Sequence, residues 1–177
     1  MSGHSKWAQI KYKKAASDAK RGKLFSKISR IITIAARESG GDPKTNSKLA
    51  AAIEEARKAN MPSDSIERAI KKASAKESAE LKEVVYEAYG PGGVALIIEG
   101  YTDSHNRTTQ EIKHLLSQSG SALANQGAAS WAFSKVDGRL EATTTVEISE
   151  EDGAKLSLLV DALEEHDDVS EVYTNAA

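Results

Sequence analysis

The sequence predicts an α+β protein built in two parts, and three observations carry that expectation. Apolar residues recur at three- and four-residue spacing from Leu24 to Ala73, the period of amphipathic helices. From Glu83 onward β-rich runs alternate with helical ones. Between the two, Ser74 to Lys82 is polar and charged, with no large apolar residue before Leu81. This sets a linker at 77–82 between domains at 1–76 and 83–177.

In the first part Leu24, Phe25, Ile28, Ile31, Ile32, Ala35 and Ala36 share one helical face, and Gly40-Gly41-Asp42-Pro43 stops the helix. Asn46 or Ser47 caps a second helix with an apolar face of Leu49, Ala52, Ile53 and Ala56, limited by Pro62. Asp64 and Glu67 stand at capping-box spacing ahead of a third helix lined by Ile66, Ala69, Ile70 and Ala73. Faces this rich in alanine pack closely but bury little area. At about 25 cal/mol per Å² the three-helix unit is expected to be modestly stable.

The second part opens with strands at 83–89 and 94–101, joined as a hairpin by Gly90-Pro91-Gly92-Gly93. A helix capped by Asp103 or Ser104 follows, with Ile112, Leu115 and Leu116 inward and Gly120 at its end, then a strand at 128–134. A second round repeats the pattern: a strand at 140–148, a capping box at Ser149 and Asp152, a helix lined by Leu156, Leu159, Val160 and Leu163, and a strand at 169–173. Two βαβ halves, 83–134 and 140–175, fit a ferredoxin-like βαββαβ sandwich with two helices on one face of a four-stranded sheet. The strand at 83–89 is then an extra edge strand.

Charge is partitioned along the chain. Residues 1–80 carry 18 basic and 9 acidic groups, a net of +9, whereas residues 81–177 carry 6 and 17, a net of −11. The overall −2 conceals this split. The basic part points to a polyanion and the acidic part to protein or solvent. Cysteine is absent, which excludes disulfides, zinc–thiolate centres and thiol nucleophiles. No apolar run approaches the roughly 20 residues of a membrane span, and no secretory signal opens the chain, so a cytoplasmic location is expected.

Catalytic and metal signatures are missing. Gly90-Pro91-Gly92-Gly93 joins two strands with no Gly-Lys-Ser/Thr after it, which makes it a turn and not a phosphate loop. His4, His105, His114 and His166 show no metal-site spacing, and Glu164-Glu165-His166-Asp167-Asp168 lacks the ligand alternation and glycine of a calcium loop. There is no nucleophile elbow. The expectation is a binding protein without catalytic residues, cofactor or metal.

The binding surface is expected in the first thirty residues. Lys6, Lys11, Lys13, Lys14, Lys20, Arg21, Lys23, Lys27 and Arg30 stand there against one acid, Asp18, with His4, Trp7 and Tyr12 interleaved. Lysines supply phosphate contacts, and the rings can stack on unpaired bases. A solvated basic tail is the alternative that composition alone leaves open.

A family resemblance adds to this reading. Gly3-His4-Ser5-Lys6-Trp7-Ala8, Arg21-Gly22-Lys23, Phe25-Ser26-Lys27, Ala35-Ala36-Arg37, Asp42-Pro43, Asn60-Met61-Pro62 and Arg68-Ala69-Ile70-Lys71-Lys72 resemble the YebC family, related to the mitochondrial translational activators of cytochrome oxidase. Tyr89-Gly90-Pro91-Gly92-Gly93-Val94, Thr102-Asp103, Asn106-Arg107-Thr108, Leu163 to Val169 and Val172-Tyr173-Thr174-Asn175 extend the match over nearly the whole chain. The resemblance implies a cytoplasmic protein of a family long labelled transcriptional regulators for their DNA binding. It also implies kinship with members that act on the ribosome and help it through stall-prone stretches. Family members usually carry a third domain between the two βαβ halves; here Phe133-Ser134-Lys135-Val136-Asp137-Gly138 runs within a few residues into Leu140, so that insert is missing. Ile31 stands where the family usually shows a glutamate.

The expected function is thus a non-enzymatic regulator bound to rRNA, tRNA or the ribosome, acting as a monomer and relieving stalling. Duplex DNA bound by a transcriptional regulator is the alternative, weakened by the lack of a clear helix-turn-helix. A small-molecule sensor on the ferredoxin-like unit rests on fold analogy alone.

Overall fold

The computed structural model describes residues 18–75 and 80–177. The chain forms two compact units, Ala16–Leu81 and one containing Lys82–Ala177. The first contains three helices, α1 (Asp18–Ser39), α2 (Ser47–Lys58) and α3 (Ser63–Lys72). Its core is the expected apolar stripe: Ile28, Ile32, Ala35 and Ala36 of α1 against Leu49, Ala52, Ile53 and Ala56 of α2, with Met61, Ile66 and Ala69 closing it. Two polar side chains weld the helices where alanine buries little. Thr33 of α1 donates to the Ala69 carbonyl of α3 at 2.9 Å.

Asn46, 3% exposed, joins α1 to α2. Its Oδ1 accepts from Leu49 N as the N-cap of α2, while Nδ2 donates to the carbonyls of Ala35 and Gly40, both at 2.8 Å. One side chain therefore caps the start of a helix and satisfies the end of the one before it. Asn60 ends α2 with φ +59, and Met61 N returns to Ala56 O at 2.9 Å, a Schellman closure. The third helix starts earlier than its capping-box spacing suggests. Pro62 occupies the N-cap with no side-chain bond, and Asp64 lies inside the first turn, where its charge favours the helix dipole.

The second unit is built on a four-stranded, wholly antiparallel sheet of β1 (Lys82–Tyr89), β2 (Ala95–Thr102), β3 (Ala122–Leu123) and, last in sequence, β6 (Val169–Thr174), in the order β3-β1-β2-β6. Helices α4 (His105–Gln118) and α5 (Glu150–Glu164) cover one face, burying Ile112, Leu116, Leu156, Leu159 and Leu163 against Val84, Leu96, Ile98 and Val172. The α+β class, the three-helix first part and the two-helix, four-stranded second part are as expected.

Strand membership differs from expectation. β1 is a central strand and not an extra edge: it pairs with β2 along its length and with β3 at Ala88 and Tyr89. Consecutive burial of Tyr86, Glu87 and Ala88 is the mark of a strand covered on both faces. The strands expected at 128–134 and 140–148 are displaced and shortened into a separate hairpin, β4 (Phe133–Val136) and β5 (Arg139–Ala142). Ser130–Ala132 is a single 3₁₀ turn, because Ala129 and Ala132 pack flat on Ala95 and Ile97 of the second sheet face and Trp131 turns outward. The tip, Asp137-Gly138, has φ +48 and +85, the type I′ geometry favoured by Asp-Gly.

The β1–β2 turn is built as expected. Gly92 has φ +74, and a β-carbon there would stand 2.7 Å from Ile148 Cγ2, so only glycine fits. Ser149 caps α5 through Asp152 N at 3.1 Å, with Asp152 bonded back to its hydroxyl at 2.9 Å. Among the described residues no helix is long and apolar enough to cross a membrane.

Candidate nucleic-acid interface

His4, Lys6, Trp7, Lys11, Tyr12, Lys13 and Lys14 lie outside the described residues. Lys20 falls within α1, and description of its side chain is likewise outside them. Arg21, Lys23, Lys27 and Arg30 are placed on α1. At 1.5 Å per residue this helix is about 33 Å long and α2 about 18 Å, and the first α1 residue fully buried in the three-helix core is Ile28. Arg21 and Lys23 are thus exposed on turns ahead of that core, and Leu24 is 44% exposed beside them. Lys23, Lys27 and Arg30 follow at intervals of four and three, one stripe on the far side of the helix from Phe25, Ile28 and Ile32. Each of the three also has an interaction with neighbouring protein groups.

In the α/β unit, motifs that sequence spacing left separate meet at one polar cluster. The turn after β2 and the turn before β6 are joined by Asp168, 6% exposed. Its Oδ2 accepts from Thr108 Oγ1 at 2.6 Å and from Arg107 Nη2 at 2.7 Å. Thr108 also lies 2.7 Å from the Thr102 hydroxyl, and Arg107 reaches Asp103 at 3.0 Å. The Asp168 and Asp103 carboxylates raise the affinity of the Arg107 guanidinium for its proton, Asp168 the more strongly.

Glu111, His166 and Asp168 bring possible ligand atoms within 4.8 Å of one another. They do not fit a metal. His166 Nδ1 accepts from Asp168 N at 3.1 Å, so the neutral ring carries its proton on Nε2, which faces Glu111 Oε2 at 2.8 Å. A metal would need that nitrogen's lone pair. The Arg107 guanidinium, 3.7 Å from Glu111 and bonded to Asp168, already provides the cation.

The second sheet face holds what sequence reasoning missed. Glu87 of β1, 7% exposed, accepts three backbone N–H bonds from the segment crossing it: Gly127 at 2.7 Å, Ala129 at 2.7 Å and Ser130 at 2.8 Å. Burial pushes its carboxyl up, but the N–H groups of Gly127, Ala129 and Ser130, with the Ser130 side chain, outweigh it and hold the group below the usual range. Two residues along, the Tyr89 hydroxyl donates to Ala128 O at 2.5 Å, and Trp131 Nε1 donates to Tyr89 Oη at 3.0 Å and to Ala128 O at 2.9 Å. A signal was present in the sequence: Ser121 to Val136 contains no acid in a domain of net −11.

Further across this face Glu99 and Glu171 stand directly opposite on β2 and β6. Burial and the Glu83 charge raise the Glu99 carboxyl against the opposing pull of Lys135 and Tyr173. Tyr173 is pushed up to about 12 by burial, then by Glu99 and Glu171.

Comparison with known proteins matches this architecture. Residues 5–76 match the TACO1/YebC protein N-terminal domain, and 81–140 with 135–176 match the TACO1/YebC second and third domain in two stretches. A "Probable transcriptional regulatory protein" of Petrotoga mobilis is 57% identical over 136 residues, covering 76% of this chain and 54% of that one. The chain thus spans about half the length of curated relatives it matches at this identity. A protein of the same name from Persephonella marina is 40% identical over 238 aligned positions, 99% of this chain and 95% of its own. An alignment longer than the 177 residues here leaves that relative with extra residues that this chain lacks. The crystal structure of a conserved hypothetical protein, Aq1575 from Aquifex aeolicus, superposes with a TM-score of 0.84 at 35% identity, covering 98% of this chain and 97% of that one. With both of its parts matched, the chain belongs to the TACO1/YebC family.

Proposed function

We propose that this chain is a non-enzymatic nucleic-acid-binding regulator that works on RNA in association with the ribosome and helps it past stalled stretches. The observation that carries the reading is the charge partition. Nine cations and one acid occupy the first thirty residues of a chain whose last 97 carry −11. A segment this self-repelling is kept for a polyanion, with lysines and arginines displacing counterions from phosphates. The names of the relatives support a regulator, and relief of stalling follows from the family resemblance.

Duplex DNA is the second reading, as a substrate for the transcriptional regulation that the relatives' names state. Against it, α3 presents Asp64 and Glu67 beside Arg68, Lys71 and Lys72, a mixed surface unsuited to lying in a major groove. The deciding experiment is sedimentation of ribosomes from a lysate treated with DNase. Under the RNA reading the protein pellets with ribosomes and leaves the pellet after RNase. Absence from the ribosome pellet, with retention on chromosomal DNA in a parallel lysate left without DNase, would establish the transcriptional reading instead.

A further inference from the structure

We propose that Trp131, hydrogen-bonded to the Tyr89 hydroxyl, is a stacking platform for an unpaired nucleobase, a second contact separate from the basic arm. The inference rests on the nucleic-acid reading above and adds to it a site in the acidic domain. Trp131 keeps 57% of its surface exposed, yet its position is fixed. Its Nε1 proton is shared between Tyr89 Oη and Ala128 O, and the segment beneath is tied to Glu87 through three backbone N–H groups. A ring so held loses little freedom when a ligand settles on it.

With its N–H consumed, the indole has only its π surface to offer, so the ligand must be one that stacks. The surroundings decide between stacking ligands. A protein-binding hot spot is an aromatic anchor inside an apolar ring that excludes water. Here the same tied segment presents Asn125 and Gln126, both exposed, whose amides match the polar edges of a base. The acid-free run from Ser121 to Val136 also spares a phosphate chain the repulsion that the rest of the domain exerts. Unpaired bases stack on exposed aromatic side chains in this way irrespective of sequence.

The chain has two tryptophans, so Trp7→Phe leaves Trp131 as the sole indole reporter in the 177-residue chain. Titration with oligouridylate and with oligothymidylate should quench its emission saturably, the two arms separating RNA from single-stranded DNA as the source of the base. Duplex DNA should bind without quenching, because its bases are already stacked. Trp131→Ala should weaken oligouridylate binding roughly tenfold, and Trp131→Phe should restore most of it. Binding that persists with Trp131 emission unchanged would overturn the platform while leaving the arm's role intact. Failure of the wild-type chain, with Trp7 in place, to bind any nucleic acid would remove both readings. Emission that shifts on dilution without nucleic acid would overturn the platform in favour of a self-association surface.

Discussion

Arg107 donates to Asp168 at 2.7 Å across 61 residues of chain, and the contact depends on a glycine that neither side chain touches. At Gly100, beside the irregularity between β2 and β6, a β-carbon would lie 2.0 Å from the Asp168 carbonyl oxygen. That oxygen accepts from Tyr101 N at 2.8 Å, which fixes the backbone carrying the Asp168 carboxylate. Gly100→Ala should therefore destabilise the protein more than loss of either partner, by roughly 3 kcal/mol, the upper end of overpacking costs. Asp168→Ala should cost about 1–3 kcal/mol. Arg107→Ala should cost less than either, because solvent screens the guanidinium. Urea denaturation of the three variants tests the order, and a Gly100→Ala protein as stable as wild type would refute the close approach.

Glu87→Gln should destabilise the α/β unit by about 1–3 kcal/mol, since the new amide group must face an N–H donor it cannot accept from. The pH dependence has a definite sign. A carboxyl held below its ordinary value stabilises the fold above the unfolded-state pKa, and that stability is lost as pH falls through the folded-state value. The gap in melting temperature between wild type and Glu87→Gln should thus narrow on going from neutral to acidic pH.

Tyr173 acts at the opposite end of the scale. Its folded-state pKa of about 12 lies above the usual 10.0, so its contribution is intact below pH 10 and drains away between the two values as the unfolded chain ionises first. Tyr173→Phe should remove a tyrosinate signal that titrates near pH 12 and flatten the fall in stability over that window. An unchanged alkaline titration curve would contradict the burial and the Glu99 and Glu171 charges behind the shift.

Binding through the arm should be strongly salt-dependent. If about six of its cations reach phosphates, affinity falls roughly a thousandfold between 50 and 200 mM salt. Replacing Lys11, Lys13 and Lys14 with alanine should reduce the log–log slope by up to about three units. An unchanged slope would put the phosphate contacts elsewhere.

Asp137-Gly138 closes β4 and β5 with two residues in left-handed backbone. Gly138→Ala should cost about 1 kcal/mol, as a β-carbon at φ +85 is strained even in open space. Thermal unfolding followed through Trp131 emission would detect it, and no change would argue against the type I′ turn.

The helical unit was the most legible part of the sequence, because each helix is a local object. Its face is set by three- and four-residue spacing, and Gly40, Asn46 and Pro62 mark its ends. The charge partition, the Gly90–Gly93 hairpin and the Ser149 cap were legible for the same reason: the residues that decide them are neighbours. Asp64 was misplaced by two residues because its spacing to Glu67 satisfies a capping box whether or not Pro62 begins the helix first.

What only the tertiary structure decided were pairings over long separations. Whether β1 is an edge or a centre depends on β3, two residues that no periodicity announces. Alternation at 128–134 looks like a strand until Ala129 and Ala132 are seen to pack on Ala95 and Ile97, which drives Trp131 out to solvent. Asp168 finds Arg107 and Thr108, and Glu87 finds three N–H groups some 40 residues on, because a buried carboxylate must be satisfied by whatever the fold brings to it. Local spacing sets which residues form an element; burial of polar groups and of both sheet faces sets which elements meet.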